Sequence, residues 1–390
     1  MASSLAGRTL ARPSFESAFG AQSFVRAMLS FEAALAHAQA AEGVIPGRDA
    51  EAISAACATI VIDIESLVAE AKKSATLAVP LVALLRAEVA RRPGEAARHV
   101  HYGATSQDVL DTATVLCLKG CLEEADRSVE SAVRSLARRA KEHRSTPMLG
   151  RTLMQPALPI TAGLKIARWA AALDHDRERI AEAQAEGLAV QFGGAVGALE
   201  PLGNKGPAVR HRLATRLGLA DAVAWHVHRN AWIDLLGRIG QLVLTAGKIA
   251  RDVSLAMQPE VGEMRESAPR EGVGASSAMP HKRNPVACVH ALAAATRIPG
   301  LLAAVHAASI SENERALGGW QAELATVPDI AGCLGSALDF LDTIASSLEI
   351  DGARMAANLA TYGAGETHNP KGLETAIDEL LDGLSPEGSR

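Results

Sequence analysis

Aromatic side chains are scarce in this sequence, where Phe, Tyr and Trp together make up only 3% of 390 residues. Alanine and leucine fill many stretches instead. Such a composition favours helices, because alanine loses no side-chain entropy in a helix and β-branched residues are disfavoured there. With 48% hydrophobic residues the chain can bury a large core. We therefore expect a globular protein that is largely helical, with few strands.

A strong charge of either sign is also lacking. The 39 basic and 44 acidic residues are interspersed and give a net charge of −5, so no extended basic face is available for a nucleic-acid backbone. The five cysteines are scattered and form no CxxC pair, which excludes a cysteine-rich metal site and fits a reducing compartment. Cys117 and Cys121 lie one helical turn apart, either as a redox pair or, as we favour, as two small residues packed on a helix face.

No signal peptide is recognisable at the start, because residues 1–19 carry Arg8, Arg12 and Glu16 and no apolar run. We expect a cytoplasmic protein. The most apolar later stretch, 291–309, contains Arg297 and Pro299, which favour a buried helix pair over a membrane span. No nucleotide-binding GxxxxGK or GxGxxG occurs, and the His pairs spaced two apart do not suit a metal site.

Helical periodicity recurs along most of the chain. The periodic segments are 24–42, 50–71, 79–91, 109–143, 159–186, 230–257, 286–309 and 328–348. The clearest of them, 230–257, would be ~40 Å long. Its apolar stripe needs other long helices beside it, and packing between copies of the chain is one way to provide them.

The breaks between these segments suggest three parts. Arg91 to Gly94 interrupts the first helical run, and we predict a helical N-terminal domain at 1–97, a long-helix bundle at 98–355 and a short tail at 356–390. The tail contains one short predicted helix at 373–381. The irregular stretch 259–285 is rich in Gly and Pro, and loops of that length in compact domains are usually functional or disordered.

Residues 274–284 are the densest group of chemically active side chains. Two serines, a histidine, a lysine, an arginine and an asparagine stand in a Gly-rich segment. Backbone N–H groups of such a turn, together with Lys282, could hold a carboxylate or stabilise charge on a serine oxygen. A solvated linker is the alternative.

A second polar cluster, 99–108, precedes the long helix that begins near Val109. Thr105 and Ser106 would then lie at a helix N-terminus, where free N–H groups and the helix dipole favour anions. Plain N-capping by Ser106 or Asp108 explains the same residues without a ligand. Two weaker clusters, 150–156 and 312–321, contain Arg151 and Arg315.

Taken in order, these clusters resemble the signatures of the fumarase/aspartase superfamily. The third signature, approximately GSSxMPxKxNP, is matched by ASSAMPHKRNP at 275–285, and the first by HYGATSQD at 101–108. Further stretches resemble the bacterial 3-carboxy-cis,cis-muconate cycloisomerases of that superfamily: FEAAL at 31–35, QFGG at 191–194, RDVSL at 251–255 and AATRIPG at 294–300. The resemblance covers about residues 15–360.

The resemblance implies an all-α fold with a fumarase/aspartase-like long-helix bundle, a homotetramer with active sites shared between subunits, and a short C-terminus in place of the usual third helical domain. It implies a cycloisomerase acting on a small polycarboxylate without metal or organic cofactor. Ser276 and Lys282 correspond to catalytic positions. The implied substrate-binding residues are His101, Thr105, Ser106, Gln155, Ser277, Met279, Asn284 and Arg315.

The sequence departs from its relatives at several of these positions. Adenylosuccinate lyases, which share the first and third signatures, carry a histidine where Leu153 stands, and many cycloisomerases carry one where Pro156 stands. Asn313 replaces the His of an HER triplet, and Ala275 replaces a glycine. The identity of a second acid or base stays open. The alternatives are a cycloisomerase for another substituted muconate such as a sulfonated one, an adenylosuccinate-lyase-like enzyme, and a non-catalytic structural relative.

Overall fold

The structure is a computed structural model that describes residues 5–266, 274, 279, 282–363 and 370–384. The helices in these ranges are α1 (Leu5–Arg8), α2 (Pro13–Ala18), α3 (Ala21–Ala41), α4 (Gly47–Thr59), α5 (Ile64–Ser74), α6 (Ala78–Ala90), α7 (Ser106–Glu142), α8 (Ala162–Gly187), α9 (Gly206–Leu217), α10 (Asn230–Ala256), α11 (Val286–Ala308), α12 (Gly319–Ser347), α13 (Gly352–Tyr362) and α14 (Pro370–Asp382). Two short two-stranded antiparallel sheets accompany them. The first is the hairpin of β1 (Pro147–Thr152) and β2 (Gln155–Thr161), and the second pairs β3 (Met264–Glu266) with β4 (Leu348–Ile350). The expected all-α class is confirmed.

The buried apolar side chains form two clusters. The larger one lies between α7, α8, α10, α11 and α12, where side chains such as Leu122 and Phe340 are fully buried. The smaller one joins α3, α4 and α6 to the first turns of α7 and to α9, around Phe31 and Phe192. Because α7 contributes to both clusters, it connects the N-terminal helices to the long-helix bundle. The predicted boundaries at 97 and 355 stay a prediction.

Helices α7 and α12 run parallel, side by side. The Trp320 indole N–H donates to Asp111 at 3.1 Å near the start of both helices, and Arg139 donates to the Leu348 carbonyl at 2.5 Å near their ends. With 37 residues, α7 is ~55 Å long. Its two ends therefore lie at opposite ends of the bundle.

Several predicted boundaries differ from the structure. The segment 50–71, expected as one helix, is two helices bent by 118° at a break of four residues, and Asp63 caps the second helix by accepting from the N–H groups of Glu65 and Ser66. Helix α12 begins nine residues before Pro328, which lies inside it. The β1–β2 hairpin was not predicted, because Pro147, Pro156 and Pro159 break its alternating pattern.

Helices α11 and α12 are long and apolar enough to cross a membrane by length and composition, and α4 with α5 would count as a third, bent span. Helix α12 is mostly enclosed by the bundle, whereas only 22% of the apolar window of α11 is buried. The expected buried helix pair at 291–309 is wrong: α11 is one continuous helix that contains Pro299. One face of α11 packs on α10 and α12, and the other is exposed.

A buried ion cluster fixes the three helix starts at one end of the bundle. Arg229, directly before α10, donates to Asp111 of α7 at 2.8 Å and to Glu323 of α12 at 2.8 Å. All three side chains are almost fully buried, and the Trp225 ring lies 4.6 Å from the guanidinium carbon. The two carboxylates raise the pKa of Arg229 against the effect of its burial. One cation thus balances two anions in a desolvated place.

Replacing Arg229 by Met should lower the free energy of unfolding by ~3–5 kcal/mol, because Asp111 and Glu323 then lose their cation. The control is Arg138→Met, since Arg138 pairs with Glu142 on the exposed face of α7 and such pairs contribute ~0.5 kcal/mol or less. Thermal denaturation of both variants at equal protein concentration checks this. Equal midpoints for the two variants would contradict it.

Candidate active site

The first candidate residues lie at the start of α7. Thr105 precedes the helix, and its N–H donates to the Asp108 carboxylate at 3.0 Å. That carboxylate is fully buried and also accepts from the N–H groups of Gly193 and Gly194 at 3.0 and 2.9 Å and from the Gln191 amide at 3.0 Å. Burial raises the pKa of Asp108 to about 6, while these hydrogen bonds act in the opposite direction. Thr105 is the N-cap and Asp108 is the third residue of α7, where its carboxylate takes part in a capping box, so the helix begins three residues before the expected start near Val109.

Close approach of two loops requires glycine at one of these positions. Gly194 has φ +70°, and a Cβ there would lie 2.8 Å from the Gly103 carbonyl oxygen. A side chain would push the 191–195 segment away from the 101–105 loop. The two glycine N–H donors of Asp108 depend on this contact.

Arg315 joins the same place from the segment before α12. Its guanidinium donates to the Thr105 hydroxyl at 2.6 Å and to the Ala195 carbonyl at 2.9 Å. No carboxylate pairs with Arg315 among the residues that the structure describes. A guanidinium with no acidic partner therefore stands at the positive end of a 37-residue helix, an arrangement that favours a bound anion.

His101 and Ser106 complete this group. His101 lies in the loop that leads into α7, with its Nδ1 2.5 Å from a carboxylate oxygen of Glu32, and Ser106 is the first residue of the helix. We call His101, Thr105, Ser106 and Arg315 the Thr105 corner. The structure thus brings four of the sequence-predicted residues together.

Gln155 lies elsewhere, beside the tip of the β1–β2 hairpin. It pairs with Thr152 across the turn formed by Leu153 and Met154, both of which have positive φ (50° and 66°). Their side chains are 96% and 71% exposed. At the base of the hairpin, Arg151 donates two hydrogen bonds to the buried Glu263 at 2.9 and 2.8 Å.

The third group lines a cavity of about 1170 Å³. Met279, Lys282 and Asn284 contribute to its wall, together with side chains from the end of α10, from β3, and from α12. The Asn284 N–H donates to the Gly274 carbonyl at 2.8 Å. Ser276 and Ser277, predicted in that segment, lie outside the described residues.

Glu266 stands beside this cavity and caps α11. Its carboxylate accepts from the N–H groups of Ala287 and Cys288 at 3.1 and 3.3 Å. Burial raises the pKa of Glu266. In the part of the chain that the structure describes, no group of three or more His, Cys, Asp or Glu side chains is placed to hold a metal ion.

One chain does not bring the Thr105 corner together with the other two groups. The cavity is lined by Asp339 and Thr343 of α12, and Arg12 bridges Asp339 to Glu124 of α7. Glu124 lies 18 residues into α7, so the cavity is roughly 30 Å along the bundle from the Thr105 corner. The hairpin with Gln155 follows the far end of α7, at ~55 Å.

Two further residues lie at the corner, Glu32 and Gln191, and the sequence does not single out either as functional. Each lies in a stretch that resembles the relatives, FEAAL at 31–35 and QFGG at 191–194. A signal was present for Glu32, because it stands beside Phe31 and Leu35 on a helix whose neighbouring positions are buried, and a carboxylate in such a place needs a partner. The partner itself, His101, is 69 residues away and periodicity does not identify it.

Comparison with known proteins agrees with the fold and the motifs. A sequence model of the lyase family matches residues 7–300. The 3-carboxy-cis,cis-muconate cycloisomerase of Bradyrhizobium diazoefficiens is 47% identical over 344 residues, covering 88% of this chain and 76% of that protein. The enzyme of the same name from Pseudomonas putida is 41% identical over 349 residues, covering 89% and 82%.

Solved structures agree as well. The crystal structure of 3-carboxy-cis,cis-muconate lactonizing enzyme from Pseudomonas putida superposes with a TM-score of 0.85 at 35% identity, covering 97% of this chain and 87% of that one. That of β-carboxy-cis,cis-muconate cycloisomerase from Acinetobacter calcoaceticus gives 0.87 at 30% identity, covering 98% and 99%. The resemblance drawn from the motifs is confirmed: the chain belongs to the lyase family and is similar over most of its length to 3-carboxy-cis,cis-muconate cycloisomerases.

Proposed function

We propose that the protein converts 3-carboxy-cis,cis-muconate to 4-carboxymuconolactone. The observation that carries the proposal is the Thr105 corner, where the guanidinium of Arg315 has no acidic partner in the described part of the chain and faces the N-terminus of α7. A polycarboxylate substrate suits such a place. The similarity to cycloisomerases over most of the chain supports the choice of substrate.

The reaction forms one C–O bond and one C–H bond: the substrate's own carboxylate supplies the oxygen, and an acid of the enzyme supplies the proton and regains it from solvent. One carboxylate oxygen forms a bond to an alkene carbon, and the π electrons move onto the neighbouring carboxylate to give a dianionic aci-carboxylate. A proton then adds to its α-carbon and the lactone results. No electrons leave the substrate, so no redox cofactor is required. The protein's task is to stabilise charge on the aci-carboxylate and to supply the proton.

The proposed roles follow from this demand. Ser276 donates the α-proton in the lactonising direction, and as alkoxide it would remove that proton in reverse. Lys282 lowers the energetic cost of charge on the serine oxygen, and Asn284, Ser277, Met279 and Gln155 contact the substrate. His101, Thr105, Ser106 and Arg315 bind a carboxylate. These roles stay proposals. The hydrogen bond from Arg315 to Thr105, and the position of His101 and Ser106 within four residues of Thr105 along the chain, support the grouping of the last four.

The separation of the three groups supports a site shared between copies of the chain. Residues roughly 30 Å and more apart along α7 cannot contact one small substrate from a single chain. We propose a homotetramer in which α11 packs against other copies. The outward face of α11 presents Val289, Pro299 and a series of alanines, and such an exposed apolar face usually marks an interface.

A membrane is a weaker explanation for the same face. Arg297 of α11 donates to Asp329 at 3.1 Å, and His306 is exposed. Ionisable groups within a lipid-facing helix are costly. We therefore propose an enzyme of the cytoplasm with neither membrane nor nucleic acid as a partner.

Incubation with 3-carboxy-cis,cis-muconate should remove the ultraviolet absorbance of the conjugated diene, and Ser276→Ala should lower kcat by ~10²–10⁴-fold while the oligomer stays intact. Ser30→Ala, at an exposed serine of α3, is the matched control and should keep full activity. Size-exclusion chromatography checks the assembly.

Each failure of this assay has a distinct meaning. No turnover by the unmodified protein at high concentration would contradict the proposed function. A higher kcat/KM on a sulfonated muconate or on adenylosuccinate would assign another substrate. Full activity of Ser276→Ala would refute the role of that serine while leaving the reaction in place.

Mixing two inactive variants should restore activity if the site is shared. Arg315→Ala and Lys282→Ala should each lose about 100-fold in kcat/KM, as expected for loss of a charged contact. When the two variants are co-expressed, about a quarter of the sites should recover activity. In those sites both contributing subunits supply an unmodified residue, because the two substitutions lie on different subunits of each site. Arg315→Ala with Thr105→Val is the control, and it should stay inactive since both residues lie in the same corner. Failure of the first mixture to recover would contradict a shared site.

A further inference from the structure

A buried carboxylate and a histidine meet in the Thr105 corner. The Nδ1 of His101 lies 2.5 Å from Oε1 of Glu32. The side chain of Glu32 is 1% exposed and that of His101 is 12% exposed. This contact joins α3 to the loop that leads into α7.

Glu32 has little other support for a negative charge. Its second oxygen, Oε2, is buried and has no hydrogen-bond partner among the described residues. An isolated carboxylate in such a place is costly unless a cation compensates it. His101 is the group in contact that can carry a proton and supply that cation.

The other ring nitrogen of His101 remains open. Nε2 has no hydrogen-bond partner within the described chain, and it is not among the side-chain atoms fully hidden from solvent without a partner. His101 adopts φ 61°, a conformation that costs a non-glycine residue about 1 kcal/mol. Such strain persists where surrounding contacts hold it, and here the Glu32 contact is one of them.

The surrounding charges favour the protonated ring. The pKa of His101 is raised, because Glu32 and, further away, Asp108 outweigh the effect of burial and of Arg86. On α4, the thiol of Cys57 faces Glu32, and burial raises its pKa to about 12, so it stays neutral. Glu32 on α3, Cys57 on α4, Arg86 on α6 and Asp108 on α7 are the titratable or charged groups that act here.

We propose that Glu32 is a positioning residue that holds His101 as an imidazolium, whose Nε2–H binds a substrate carboxylate beside Thr105 and Arg315. The inference rests on the proposed function. It adds a second cation to the corner and a residue on α3 to the site. It also provides an imidazole to a chain in which Leu153 and Pro156 occupy positions where relatives carry histidine.

The sign of the pH dependence follows. With its pKa raised, His101 keeps its proton to a higher pH than an ordinary histidine, and substrate binding is lost as the pH rises through that pKa. Glu32→Gln removes the anion while burial still lowers the pKa of the ring. The loss should therefore move to lower pH in this variant.

The experiment measures kcat and KM from pH 5.5 to 9 for the unmodified enzyme, Glu32→Gln, His101→Asn and Asp49→Asn. At pH 7.5, Glu32→Gln should raise KM severalfold, because the ring then loses its proton at lower pH, with little change in kcat. His101→Asn should abolish the alkaline limb. Asp49→Asn is the matched control, because Asp49 contacts His99 in the same manner at 2.8 Å, and its pH profile should match that of the unmodified enzyme.

A second measurement does not depend on turnover. In protein labelled with ¹³Cε1-histidine, the His101 resonance should titrate at higher pH in the unmodified protein than in Glu32→Gln, and tricarballylate, an inert tricarboxylate, should shift it further. Equal titration in both proteins, or no response to tricarballylate, would overturn the inference. If muconate is not turned over but these shifts occur, the proposed reaction fails and the carboxylate-binding imidazolium stands. A lower midpoint of unfolding in Glu32→Gln with an unchanged pH profile would reduce Glu32 to a structural role and also overturn it.

Discussion

The buried carboxylate of Asp108 is the contact on which the Thr105 corner depends. It accepts hydrogen bonds from the backbone before α7 and from the 191–194 segment, which are more than 80 residues apart. Without a group that satisfies these N–H donors, the helix start and the glycine loop would each leave buried polar atoms unpaired. The Arg315 guanidinium reaches both segments at once, so the position of the cation follows from the position of the carboxylate.

The length of α7 determines how the rest of the site is arranged. One helix carries the Thr105 corner at one end and leads to the Gln155 hairpin at the other. The distance between them is the reason that we propose a site shared between copies of the chain. The buried Arg229 cluster joins α7, α10 and α12 near the corner, so the end of the bundle that holds these buried ion pairs also carries the Arg315 guanidinium.

Much of this could be predicted from the sequence, for physical reasons that differ between elements. Helix α10 was predicted within one residue because its apolar stripe repeats without interruption over seven turns. The polar cluster at 99–108 could be predicted because Thr, Ser and Asp at the start of a helix form a local sequence signature. The bend between α4 and α5 escaped because Ile60 to Ile62 continues the apolar pattern, and only tertiary packing decides that the chain turns there.

The long-range contacts, like the bend, could not be predicted from the sequence. Glu32 with His101, and Arg229 with Asp111 and Glu323, join residues separated by 69 to 118 positions. Each pairing is chosen by the fold, since every charged residue has many candidate partners along the chain. The resemblance to a known family identified the corner residues, and the structure supplied the carboxylates that position them.

The hairpin tip shows what such a site demands of a chain. Leu153 and Met154 occupy left-handed backbone positions that Asn or Gly would occupy at lower cost, and their side chains extend into solvent. Under the proposed shared site, these side chains meet a neighbouring copy of the chain. A selection for heat resistance in the single chain would replace them readily and so, on that proposal, remove the contact, which means that engineering for thermal robustness has to be scored on activity as well as on melting.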